Sequence, residues 1–219
     1  MAGDRFALFD FDDTLCRGDS IVPYLLYCIR KGVAPKSQLF KAVCAYLSQI
    51  GRPERASGAK TVSLSFIKGR HQREMDELAR AFFREVLVPR FFAEGQKELL
   101  RLKSEGYRVL VISASADVYM RVLPEFMPVE AVMSTHCALD ASGCYTGEVC
   151  ENCKGDVKPV RLREYLQLLG VTMDAAASRA YGDSPSDAPM LSLTGHPTLV
   201  SPSKKLLKKL PNAQIVQWR

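Results

Sequence analysis

The sequence predicts an α/β protein: a Rossmann-like, doubly wound parallel sheet with a helical domain inserted into it. Three observations carry this. Short apolar runs alternate with segments of helical period, as strands buried on both faces do. Two of the runs end in acidic motifs, and sites in this class form at the carboxyl ends of strands. About a hundred residues separate the first run from the second, where a crossover needs only a dozen or so.

Taken in order, Phe6–Phe9 is the first buried strand. The long gap then reads as helix over residues 21–29, 38–49, 59–67 and 73–87, punctuated by Pro35, Gly51-Arg52-Pro53 and Gly69. This divides the chain into a catalytic core, residues 1–15 and 88–219, and a helical cap, residues 16–87. A helix from Phe91 to Leu102, with Gly106 beyond its end, leads into a strand at Arg108–Ile112. Thr135–Thr146 is a second, smaller insertion, with a hairpin turn at Asp140–Gly143. Leu162, Tyr165, Leu166 and Leu169 share one helix face. That helix must begin near Asp156, because Pro159 is tolerated only in a first turn. Arg179–Tyr181, Thr198–Val200 and Ile215-Val216 complete the strands.

The chain has 219 residues, 47% hydrophobic and 25% charged. Those values exclude a disordered chain, a collagen-like fibre and a small disulfide scaffold. No apolar stretch reaches the roughly 18 residues of a membrane span. The N-terminus lacks the basic and apolar regions of a signal peptide. Seven cysteines therefore read as reduced thiols, and the expected compartment is the cytoplasm. Cys150 and Cys153 form one C-x-x-C, with Cys137 and Cys144 upstream. A zinc ribbon needs two such knuckles, so these read as structural cysteines. His71, His136 and His196 lie in unrelated segments and read as structural or surface residues.

The net charge of +6 is unevenly placed. Residues 16–87 hold 13 basic and 6 acidic residues, and between Arg30 and Arg73 the sole acidic residue is Glu54. Such a field would attract an anionic ester or surface. A nucleic-acid partner is not expected, since no aromatic platform, zinc finger or recognition helix accompanies the basic residues. Ser203 to Leu210 could form a basic amphipathic helix on a membrane surface, or simply a solvated one.

Asp10-Phe11-Asp12-Asp13-Thr14 follows the first strand directly. Asp10 and Asp12 are two apart and share a face of an extended chain. Gly182-Asp183-Ser184-Pro185-Ser186-Asp187 follows a later strand in the same way. If the strands are neighbours, Asp10, Asp12, Asp183 and Asp187 converge and repel one another unless a cation sits among them. Oxygen-only ligands favour Mg²⁺ over zinc. Ser113, Ala114 and Ser115 follow the Val109–Ile112 strand and offer hydroxyls and amides to an anion. Lys154 and Lys158 stand at the mouth of the Pro159 helix, whose N–H groups and dipole favour phosphate.

This ordered set resembles the haloacid dehalogenase superfamily of aspartate-nucleophile phosphatases. The helical insert resembles the subfamily with a four-helix, C1-type cap, which includes phosphoserine phosphatases. The resemblance implies a covalent aspartyl phosphate on Asp10, with Asp12 as general acid and base. It implies Mg²⁺ held by Asp10, Asp12 through its carbonyl, and Asp183, with Asp187 in support. Thr14 would orient the loop. Ser113 and a lysine would hold the phosphoryl oxygens. Lys154, before Gly155, matches the phosphoserine phosphatase pattern, and Lys158 matches other members; Lys154 ranks ahead. Asp19 stands where that subfamily reads a substrate amine, but it equally suits the cap of the following helix. The matching cap arginine has no clear counterpart, Lys60 being near in register but in a different local pattern. The expected partner is a small phosphate ester: phosphoserine-like, an amino-alcohol phosphate or histidinol phosphate. The alternatives are a membrane-surface lipid-phosphate phosphatase, phosphatidylglycerophosphate-like, and a basic membrane-surface protein without turnover.

Overall fold

The computed structural model describes residues 3–48 and 56–218 of the chain. The Gly51-Arg52-Pro53 punctuation and Gln49, the last residue of the predicted second helix, lie outside the described residues. Six parallel strands form one sheet: β1 (Phe6–Phe9), β2 (Arg108–Ala116), β3 (Ala131–Thr135), β6 (Arg179–Gly182), β7 (His196–Val200) and β8 (Gln214–Val216). Their order is β3-β2-β1-β6-β7-β8. β1 is central, pairing Phe6–Phe9 with Arg108–Val111 on one side and Ala7–Phe9 with Arg179–Tyr181 on the other. Every residue of β1 is buried, as a strand covered on both faces requires.

Between β1 and β2 lie α1 (Ile21–Arg30), α2 (Ser37–Leu47), α3 (Ala56–Leu64) and α4 (Gln72–Phe82). A 3-10 turn at Ser65–Ile67 extends α3, and a π turn at Phe83–Leu87 continues α4. The continuous helix expected over 73–87 thus changes its winding at Phe83, which lets Phe82 and Phe83 both stay buried. Among the described residues, these helices build no core separate from the sheet's. Tyr24, Leu25, Phe82 and Phe83 join Phe9, Phe11, Val109 and Val111 in one apolar cluster on one face of the sheet. Leu8, Ile112, Leu162 and Leu199 form the cluster on the other face.

After α5 (Ala93–Ser104), Gly106 takes a φ of +82°, the left-handed conformation expected just past a helix end. The short α6 (Asp117–Met120) follows β2. The predicted hairpin is β4 (Cys137–Leu139) against β5 (Tyr145–Val149). It docks onto the inserted helices through backbone bonds from Gly69 N–H to Tyr145 O and from Gln72 N–H to Gly143 O. α7 (Val157–Leu169) has Asp156 at its N-cap and ends on Gly170 at φ +66°. α8 (Ala188–Leu191) and α9 (Lys204–Lys209) precede β7 and β8. The strand β3 has no counterpart in the sequence reading. The seven cysteines are free, and Cys153 is buried with its Sγ near Met133 O. His71 caps α4 by accepting from Arg73 N–H, and His136 Nδ1 lies 2.7 Å from Asp117. No described helix is long and apolar enough to cross a membrane.

Candidate active site

Asp10 follows the last residue of β1, and its N–H donates to Tyr181 O of the neighbouring β6. The chain then turns back sharply. Leu15 and Cys16 N–H both donate to Phe11 O, and Asp13 adopts φ +55°. Aspartate tolerates this left-handed conformation better than most residues. Asp13 Oδ1 accepts from Gly18 N–H at 2.7 Å and closes the loop. Asp10 and Asp12 are thereby held at the strand end while Thr14 is drawn inward, its Oγ1 3.4 Å from Asp183 Oδ1.

Asp183 follows β6, so it stands beside Asp10 because β1 and β6 are paired. Asp187 reaches under both. Its Cβ lies 2.6 Å from where a Cβ on Gly182 would sit, so that position must be glycine for the close approach. Ser184 donates to Asp187 Oδ2 from its N–H at 3.0 Å and its hydroxyl at 2.7 Å. Lys158, one residue into α7, is 1% exposed and joins two carboxylates: Nζ is 2.6 Å from Asp10 Oδ1 and 2.7 Å from Asp187 Oδ1. Burial would depress the ammonium, but Asp10 and Asp187 outweigh it and hold it firmly charged. Lys154 is exposed and lines the cavity mouth. The structure thus sets Lys158, ranked second in the sequence, against Asp10, with Lys154 on the rim.

Asp10, Asp183 and Asp187 have oxygens within 4.8 Å of one another. Three carboxylates against the one ammonium of Lys158 leave a negative surplus in a cleft. Burial and the charges of Asp10 and Asp187 raise Asp183 to about 8. Burial raises Asp10 to about 6, against the lowering effect of Lys158. A hard divalent cation bound by oxygen matches this donor set and charge, as Mg²⁺ does. Folding of the metal-free protein takes up protons, since burial lifts Asp12 to about 7 and Asp183 to about 8, well above the ordinary carboxyl range. A raised carboxyl costs stability as pH climbs from its unfolded to its folded value. The metal-free protein should therefore melt at a lower temperature at pH 8 than at pH 5, and saturating Mg²⁺ should flatten that slope. Thermal melts across the range check this, and a melting temperature that climbs with pH without metal would contradict it.

Asp12 stands apart from this cluster. Its Oδ2 accepts from Ser115 Oγ at 2.5 Å, while its Oδ1 is buried without a partner. Ser115 Oγ is 2.9 Å from Ser20 Oγ, which is 3.0 Å from Tyr119 OH, so a buried hydroxyl chain fixes the carboxyl. Burial raises Asp12 to about 7, where it holds a proton near neutrality and can release it. Ser113 is buried at the floor and accepts Ser115 N–H at 3.0 Å. Together with Ala114, Lys154 and the carboxylates, it lines a cavity of about 220 Å³.

Asp19 lines this cavity but also caps α1, its Oδ1 accepting from Ile21 N–H at 2.9 Å and Val22 N–H at 3.3 Å. The structure adds Lys60 of α3, whose buried Nζ donates to Ala114 O and, at 2.8 Å, to Asn152 Oδ1. Burial lowers it to about 8. Its only sequence signal was a near match in register, because the fold and not the spacing brings α3 over β2.

A family model described as haloacid dehalogenase-like hydrolase matches residues 7–192. The chain is 24% identical over 214 residues to a histidinol-phosphatase of Neisseria meningitidis, covering 94% of each. It is 26% identical over 216 residues to a phosphoserine phosphatase of Mycobacterium tuberculosis, covering 91% of this chain and 66% of that one. Among solved structures, a protein of unknown function from Bordetella pertussis is similar over 98% of both chains, with a TM-score of 0.86 and 22% identity. The family match runs from β1 through the loop that carries Asp183 and Asp187, so it takes in every acidic residue of the cavity, and the chain belongs to the haloacid dehalogenase-like hydrolases.

Proposed function

We propose that this phosphatase hydrolyses phosphate monoesters of small metabolites with Mg²⁺, through a phosphoryl group carried on Asp10. One observation carries the reading: Asp10 and Asp187 are clamped by a buried lysine, with Asp183 completing a carboxylate cluster that could hold a cation and a proton-holding Asp12 alongside. Asp10 attacks phosphorus, and the bond from phosphorus to the ester oxygen breaks. Asp12 gives its proton to that oxygen, and the alcohol departs. Asp12 then takes a proton from water as the water oxygen attacks phosphorus, which releases phosphate and restores Asp10. Asp10, Asp183 and the Asp12 carbonyl would hold Mg²⁺, with Asp187 in support, and the bound ion would offset the charge of nucleophile and phosphoryl oxygens. Ser113 and Lys158 line the cavity where those oxygens would lie.

Beside this cavity, Asp12, Asp19, Lys60, Asn152 and Lys154 line a polar chamber of about 170 Å³ that would receive the polar part of the leaving group. Purified protein should release phosphate from p-nitrophenyl phosphate with Mg²⁺ and lose that activity in excess chelator. Equal release in chelator would reject the metal, and no release under either condition would reject the phosphatase reading.

A further inference from the structure

Helices α1 and α2 leave a groove of about 340 Å³ between them. Aliphatic side chains, Val22, Leu39, Val43 and Leu47 among them, make up seven of its ten described lining residues, and Tyr46, Asp19 and Ser63 are its polar members. Ile21, Leu25 and Ala42 form its buried floor, whereas the flanking side chains are open: Val22 and Val43 are each 47% exposed and Leu47 is 61% exposed. Clustered exposed apolar area of this kind marks a binding surface rather than the scattered residues of an ordinary exterior.

The groove adjoins the catalytic chambers through residues they share. Asp19, Ile21 and Tyr46 line both the groove and the polar chamber. Asp12, Asp19, Ala114 and Lys154 then line both the polar chamber and the cavity at Asp10. The Tyr46 phenol is raised by burial and by the charges of Asp19 and Asp12, so α2 lies within electrostatic reach of the acid. An ester with its phosphoryl group at Asp10 and a chain directed past Lys60 and Lys154 would reach this apolar trough. Pockets that bind small ligands share this plan, an apolar wall with few polar groups fixing orientation.

We propose that the groove between α1 and α2 is a subsite for an aliphatic chain, and that the substrates are phosphate monoesters of alcohols bearing one. The proposal rests on the phosphatase reading and adds the class of leaving group to it. The occupant is part of the ester rather than a protein segment, because the trough shares Asp19, Ile21 and Tyr46 with the chamber beside the reacting group.

The test is a series of n-alkyl phosphates, ethyl, butyl, hexyl and octyl, assayed with the Mg²⁺-loaded enzyme below their aggregation concentrations. A fully buried methylene contributes up to about fourfold in affinity. The specificity constant should rise with chain length, by about a hundredfold from ethyl to octyl, chiefly through KM. In Val43→Glu, and separately in Leu39→Glu, the octyl-to-ethyl ratio should collapse toward one; a ratio within one variant cancels any loss common to both esters. A flat series in the wild type, or an unchanged ratio in both variants, overturns the subsite while leaving the phosphatase reading intact. A rise seen only with aggregates or with anionic vesicles assigns the patch to bilayer docking and also overturns it. No release from any ester overturns both readings.

Discussion

Asp10→Asn protein is expected to lose at least about 10⁴-fold in kcat while keeping a melting temperature within a few degrees of the wild type. The amide is a poor nucleophile and cannot form a stable acyl phosphate, so the loss should sit in kcat and not in KM. The fold has little to lose at this position. The Asp10 carboxyl is already strained electrostatically, with burial lifting it to about 6. Lys158 retains Asp187 as a partner at 2.7 Å when the Asp10 charge is removed. Steady-state phosphate release and a thermal melt on the same preparation read the two effects separately. Turnover within tenfold of wild type would remove Asp10 from the chemistry.

Lys158→Ala is expected to fail on both counts. The side chain is 1% exposed and lies between two carboxylates that are themselves buried. Deleting one partner of a buried ion pair leaves uncompensated charge and costs about 3–5 kcal/mol. In a chain of this size that lowers the melting temperature on the order of 10 °C. Activity should fall by at least about 10²-fold even at temperatures where the variant is folded, if Lys158 also offsets charge on the phosphoryl group as proposed. Lys154→Ala is the control: the residue is exposed, so its melt should match the wild type. If both variants melt alike and turn over alike, Lys158 does not clamp the site. Added Mg²⁺ should recover part of the Lys158→Ala stability loss, because a cation among Asp10, Asp183 and Asp187 relieves the same repulsion.

The parts of this site legible in the sequence are those fixed by local chain geometry. A buried strand that runs directly into Asp10-Phe11-Asp12 can place both carboxylates only near its carboxyl end. Pro159 fixes where α7 starts, and the observed start at Val157 follows from it. The choice between Lys154 and Lys158 was not legible, because both flank one helix start. What separates them is depth: α7 packs against β2, which sinks Lys158 to Asp10 and leaves Lys154 at the rim. Lys60 was illegible for a related reason. It reaches Ala114 and Asn152 across the inserted helices, 54 and 92 residues away in sequence. The strand β3 carries no clean apolar signature: it ends in Ser134 and Thr135, and four of its five residues are only partly buried. The hairpin turn at Asp140–Gly143 was readable, with Asp140 Oδ1 accepting from Ser142 and Cys144 N–H. Its docking onto the inserted helices was not, since those backbone contacts leave no side-chain signature.

The central claim is that phosphoryl transfer passes through Asp10, and trapping the intermediate tests it most directly. Enzyme turning over a phosphate ester with Mg²⁺ can be quenched in acid, reduced with borohydride and digested for mass spectrometry. An acyl phosphate on aspartate is reduced to homoserine, which marks the residue that carried the phosphoryl group. Homoserine at position 10, dependent on substrate and absent from Asp10→Asn, is the predicted result. Homoserine at position 12 or 183, or none at all during active turnover, would contradict it.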